Sequence, residues 1–224
     1  MSAAVKKPIR AKRAGAGKPA APAASPRRGR PPANLADRRA AIVAAARAVF
    51  GRHGLEAASM RLIAREAGVA APTLYLYFKG AEELYGAALS ASLAELRSLL
   101  EAAGAGGTPR EQAIAVATAF FRFYYQSPDD AALGLYLNRG LGPRGLNPDL
   151  DARLNRELLD ALLPLTRALQ AHQGGSARAA DTAGFSLASS AMGIAIFHHT
   201  RRDKSLRVDA TAAFEQLLAW VFRA

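Results

Sequence analysis

The side chains of this sequence that are best placed to do chemistry do not form a catalytic set. There is no cysteine, which removes thiolate chemistry, disulfides and every Cys-based zinc site. His198 and His199 are adjacent, so on a helix they point about 100° apart and cannot share a ligand face. His199 and Asp203 stand four apart, close enough to share a metal, but no third ligand accompanies them. His53 falls at the end of a helical segment, where a cation is favourable against the helix dipole. No nucleophile–base pair, phosphate-cradling loop or pair of carboxylates stands out. No enzymatic activity, metal or cofactor is expected.

A second set of residues suits a polyanion. Thr73 and Tyr77 are four apart, hence on one face of a helix. Ala70 and Ala71 offer methyl groups of the kind that meet thymine in the major groove. The hydroxyls of Tyr75 and Tyr77 and the ammonium of Lys79 suit phosphate contacts, which position a protein without reading sequence. Arg61 can reach a phosphate or a guanine edge. Arg27, Arg28 and Arg30 lie in a basic N-terminal stretch. For each there is a plainer alternative: Tyr75 as core, Arg61 as a solvated base, Ser59 as a helix cap.

The charge is distributed unevenly. The chain of 224 residues carries a net +12, and residues 1–39 supply 11 Lys/Arg against one acid, Asp37. The rest is almost neutral. Basic tails of this kind usually meet polyanions, with a solubilising leader as the alternative. Residues 1–33 lack the apolar surface to fold alone and contain no apolar run after the charges, so they read as a disordered tail and not a secretory signal. The uncharged stretch Thr182–Thr200 contains three serines and two histidines. It is too polar for a membrane span and reads as a helix buried in protein. A cytoplasmic protein is expected.

Alanine dominates, β-branched residues are sparse, and no run alternates with period two. These features predict an all-α protein of about nine helices. The first helix covers about 35–53, with Ile42, Ala46, Val49 and Phe50 as its stripe and Gly54 as its stop. Ser59 caps a short helix to about Ala67, and Pro72 opens another to about Phe78. A longer helix covers about 82–103. Thr108-Pro109-Arg110-Glu111 is a capping box before a helix apolar on most sides, and therefore central. Asn147-Pro148 starts a leucine-striped helix in which Pro164 predicts a kink. Two more helices cover about 176–202 and 209–222. The segments before and after Ala67-Gly68-Val69 have helix-turn-helix dimensions, with Ile63, Ala64, Ala67, Val69, Leu74 and Phe78 as the shared core.

The stretch from Arg39 to Leu84 resembles the DNA-binding domain of TetR-family bacterial transcriptional regulators. The resemblance is carried by Ile42, Ala45-Ala46, Phe50, Gly54, Ser59, Ile63-Ala64, Ala67-Gly68-Val69, Thr73-Leu74-Tyr75, Tyr77-Phe78-Lys79 and Glu83-Leu84. After the basic tail at 1–33, it implies a helix-turn-helix DNA-binding domain at 34–84 and an effector-binding and dimerisation domain at 85–224. Two positions depart from the family pattern: Ala70 stands where a serine is common, and Ala81 where a lysine often opens the next helix. Arg28-Gly29-Arg30-Pro31, preceded by Arg27, resembles the core of an AT-hook, whose arginines spread along a narrow A·T minor groove.

Phe120, Phe121, Tyr124, Tyr125 and Tyr136, joined by Phe185, Met192 and Ile196, are candidates for a pocket that takes an apolar or aromatic effector. Plain core packing is the alternative. Ala188, Ala191 and Ala195 permit close helix approach at a dimer interface, with Trp220 as an anchor. The expected protein is a ligand-responsive homodimeric repressor of a palindromic operator. A sequence-independent DNA binder driven by the tail, or a small helical enzyme, are the competing readings.

Overall fold

The structure is a computed structural model, and residues 35–135 and 146–223 are described here. The tail arginines Arg27, Arg28 and Arg30 and the aromatic Tyr136 lie outside the described residues. The described residues form ten α-helices and no strand: α1 (Leu35–Ala57), α2 (Met60–Glu66), α3 (Ala71–Leu74), α4 (Ala81–Ala103), α5 (Pro109–Gln126), α6 (Pro128–Leu135), α7 (Pro148–Gln173), α8 (Ala177–His199), α9 (Arg202–Leu206) and α10 (Ala210–Val221). The short α6 and α9 were not expected from the sequence. Both are under three turns, too short for a clear apolar period.

The helix ends follow from local chemistry. Ser59 accepts a hydrogen bond from the Leu62 amide, Asn147 from Asp149, Ser176 from Ala179 and Asp209 from Ala212. Thr108 and Glu111 form the reciprocal capping box that the sequence predicts. Gly54 takes φ 71°, so α1 breaks there as expected before one more turn to Ala57. By contrast α7 continues as one helix through Pro164.

The central α5 buries Val116, Phe120, Phe121, Phe123 and Tyr124. It packs against α4, α7 and α8, while α1 rests on α4 and α6. α4 runs unbroken past residue 84, so one rigid element belongs both to the helix-turn-helix and to the larger bundle. α8 passes the length and apolarity requirements of a membrane span. Its inward face packs on α5 and α7, but Phe185, Ser186, Ser189, Ser190 and Phe197 are exposed. The expectation of a helix buried within the chain therefore holds for one face only.

Candidate nucleic-acid interface and effector cavity

The small three-helix core is built from Ile42, Ala46, Val49 and Phe50 of α1, Ile63 and Ala64 of α2, Leu74 of α3, and Phe78. Ala67 and Val69, also expected there, are only half-buried because they form the turn. Gly68 sits at φ +67°, the left-handed conformation that glycine adopts without penalty. Helix α3 finishes in tight turns, with the Leu76 amide bonded to the Thr73 carbonyl and the Tyr77 amide to Leu74. Arg39 lies over the Phe78 ring, 5.0 Å from its centroid, and ties the start of α1 to the end of this unit.

That packing decides which side chains face outward. Arg61 is exposed on the first turn of α2. Ala70 is exposed at the N-cap of α3, Ala71 and Thr73 are half-buried, and Tyr77 is half-buried after it. Tyr75 is 59% exposed and is not core. Lys79 is exposed, and its amide donates to the Glu83 carboxylate at 2.6 Å, so the backbone here is fixed to the start of α4. Two further exposed side chains lie among the sequence-predicted contact residues. Leu76 is 82% exposed, and Arg65 stands one turn after Arg61 on α2. Leu76 was passed over because a leucine in an apolar helix is ordinarily assigned to the core.

The second site is an apolar cavity of about 420 Å3 enclosed by α4, α5, α6, α7 and α8. Leu89, Leu93, Phe120, Tyr124, Leu154, Leu162, Met192 and Ile196 line it, with Phe185, Asn155 and Ser189 at exposed positions. Phe120, Tyr124, Phe185, Met192 and Ile196 were expected there. Phe121 and Tyr125 were too, but they point elsewhere. Phe121 stacks on Phe214 of α10 with ring centroids 4.1 Å apart, and Tyr125 lies against His198 at 4.3 Å. Adjacent residues on a helix diverge by about 100°, so one run of aromatics cannot all face one cavity. Burial pushes the Tyr124 hydroxyl above its ordinary pKa, and the charge of Asp130 adds to the shift. A larger and more polar cleft of about 810 Å3 lies beside α1, α4 and α5, but its Arg47, Glu95 and Asp130 are already paired with one another.

The two sites are joined through α6, a connection the sequence did not reveal. At one end, Gly134 and Leu135 border the cavity. At the other, Asp130 is 2% exposed and accepts two hydrogen bonds from Arg47 of α1, both at 2.6 Å. Ser92 of α4 donates to the same carboxylate at 2.7 Å and Ser127 at 2.5 Å. Burial alone would raise the pKa of Asp130, but the bonds from Arg47, Ser127 and Ser92 overcome it and hold the carboxyl below its usual range. Gly51 of α1 meets α6 so closely that a Cβ there would lie 2.5 Å from the Asp129 Cα. The Tyr85 hydroxyl of α4 donates to the Leu133 carbonyl of α6, and the Tyr85 ring packs edge-on against Phe50 of α1.

Of the four expected dimer residues, three are buried within the subunit and Trp220 is exposed. Ala188, Ala191 and Ala195 are buried inside the subunit, at 7%, 1% and 0% exposure. Their small side chains serve packing of α8 within the chain. Trp220 is exposed on α10, as are Phe185 and Phe197 on the outer face of α8. The histidines are structural: His198 pairs with Asp203 at 2.8 Å, and His199 bonds the Tyr124 carbonyl at 2.7 Å. No group of three metal-binding side chains occurs among the described residues.

A three-helix unit with an exposed short helix, joined to a bundle with an open-sided apolar cavity, has the layout of a helix-turn-helix protein. Residues 42–88 match the family model of bacterial regulatory proteins of the tetR family. The chain is 37% identical over 99 residues to the HTH-type transcriptional regulator BetI of Rhizobium meliloti (strain 1021), a match covering 44% of this chain and 49% of that protein. It thus spans about half the length of the curated relative it matches. The fold is shared more widely. The fatty acid degradation regulator FadR of Bacillus halodurans superposes with a TM-score of 0.64 at 20% identity, over 83% of this chain and 98% of that one. FadR of Bacillus subtilis, solved in complex with stearoyl-CoA, gives 0.65 at 20% identity over 82% and 97%. Residues 42–88 thus form a DNA-binding domain of the tetR type, and over more than four-fifths of its length the chain shares the fold of solved transcriptional regulators.

Proposed function

We propose that this chain is a homodimeric, ligand-responsive repressor with three parts: a DNA-attracting tail at 1–33, a reading head at 34–84, and a sensor at 85–224. Two copies of the recognition segment enter successive major grooves of a near-palindromic operator. Ala70, Ala71, Thr73 and Leu76 meet bases, while Arg61, Tyr75, Tyr77 and Lys79 meet bases or phosphates. Arg27, Arg28 and Arg30 add minor-groove and salt-sensitive contacts. The second subunit covers the outer face of α8, where Phe197 and Phe185 are exposed, together with Trp220 of α10. The protein acts in the bacterial cytoplasm, associated with the nucleoid when bound to DNA.

One observation carries the regulatory part: α6 borders the cavity at Gly134 and Leu135 and clamps α1 through Asp130. An effector in the cavity displaces α6, and α6 is fastened to the first helix of the reading head. Coupling of about 1–3 kcal/mol is enough for a 5- to 150-fold change in operator affinity. The relative solved with stearoyl-CoA supports an effector with a long apolar portion. Selection of DNA by the purified full chain tests the reading. The expected product is a two-fold sequence with half-sites about one helical turn apart, and random sequence would refute it. The tail's net charge favours a second reading, binding without sequence preference, which the same selection would reveal as the absence of any enriched site.

A further inference from the structure

We infer that the cavity is built for an uncharged, mainly aliphatic ligand carrying one carbonyl-type acceptor, held by the Tyr124 hydroxyl. This rests on the effector role proposed above and narrows the chemistry of that site. Three observations carry it.

First, no charged side chain among the described residues lines the cavity. A carboxylate or ammonium drawn inside would lose its hydration with no counter-ion to replace it, and burial of an unpaired charge is strongly unfavourable. Second, Tyr124 is 4% exposed, yet its hydroxyl makes no hydrogen bond among the described residues, and burial and nearby charges alone account for its raised pKa. It is also not among the polar atoms sealed from solvent without a partner. Open space therefore reaches it, and Tyr124 lines the cavity. A ligand acceptor can take the hydrogen bond that this hydroxyl otherwise gives to water. Third, the volume of about 420 Å3 holds roughly fourteen water-sized groups at about 30 Å3 each. A medium-length chain with one ester or ketone oxygen fills that space.

The Tyr124 ring also reads out occupancy. A Cβ on Gly134 would lie 3.9 Å from its Cε1, so ring and α6 are in near contact. A ligand that fixes the hydroxyl also fixes the ring that α6 rests on.

The test uses the full chain loaded with the neutral dye Nile red and four competitors of similar length: methyl decanoate, decanoate, decyltrimethylammonium and dodecane. Gly193→Leu establishes where the dye sits, because position 193 lines the cavity and a side chain there meets only open space. It should abolish dye binding while leaving DNA binding intact. Methyl decanoate should displace the dye at concentrations at least about 10-fold below either ion. Tyr124→Phe should weaken the ester about 5- to 10-fold, the value of one hydrogen bond, and leave dodecane within about twofold. Equal displacement by the ions, or an equal loss for ester and alkane in Tyr124→Phe, overturns the inference. So does dye binding that survives Gly193→Leu. If the ester binds as described but does not release DNA, the ligand class stands and the repressor reading fails.

Discussion

The reading head and the sensor bury their apolar residues for opposite ends. The three-helix unit fills its interior completely: Ile42, Ile63 and Leu74 are at 0% exposure, and the functional groups are what remains outside. The sensor seals most of its interior but leaves a void beside Phe120, Tyr124 and Met192. Protein interiors are normally close-packed, so a void costs dispersion contacts, which an occupant restores. On the proposed function, the first region works by being rigid, the second by being incomplete.

Substitutions that break the contrast should rank accordingly. Phe78→Ala removes a core ring that also carries Arg39. It should destabilise by about 3–5 kcal/mol and abolish operator binding, checked by thermal unfolding and fluorescence anisotropy. Asp130→Ala leaves Arg47 without its principal partner. The clamp is buried at the aspartate only, so a cost of about 3 kcal/mol is expected, at the lower end for a broken buried pair. Because the Asp130 carboxyl is held below its ordinary range, its stabilising effect is complete above about pH 4. It is lost as pH falls through the depressed folded value. Asp130→Asn should therefore flatten the acid limb of the stability profile. Gly51→Ala forces α1 from α6 and should cost about 1–3 kcal/mol. It should also weaken the effect of an effector on DNA affinity while leaving effector binding itself unchanged, as read by dye displacement. Deletion of residues 1–33 should leave stability unchanged but lower affinity, with a shallower dependence on salt.

The same contrast explains what could be read from the sequence. The reading head was legible almost to the residue because its determinants are local: a cap at Ser59, a left-handed glycine at 68, a proline at 72, and apolar side chains at helical spacing between them. The caps of α5 and α7 were legible for the same reason. The cavity was legible in part. Phe120 and Tyr124 could be named, but Phe121 and Tyr125 could not be separated from them, because which face of a central helix meets a void depends on three other helices. Ala188, Ala191 and Ala195 were assigned to a partner when they serve the subunit, since small residues fit close packing on either side. The Arg47–Asp130 clamp joins residues 83 apart, and no spacing rule reports such a pair.

The claim that specificity lies in the nearly neutral reading head and only affinity in the basic tail is tested most directly by competition. Operator binding is measured against excess bulk DNA for the full chain, for Thr73→Ala combined with Tyr77→Ala, and for the chain lacking residues 1–33. The double variant should fold normally and lose discrimination by about 10- to 100-fold, in line with the loss of a base-edge contact worth about 1–3 kcal/mol. The truncated chain should bind more weakly yet keep its preference for operator. Unchanged discrimination in the double variant, with discrimination lost on truncation, would contradict the account.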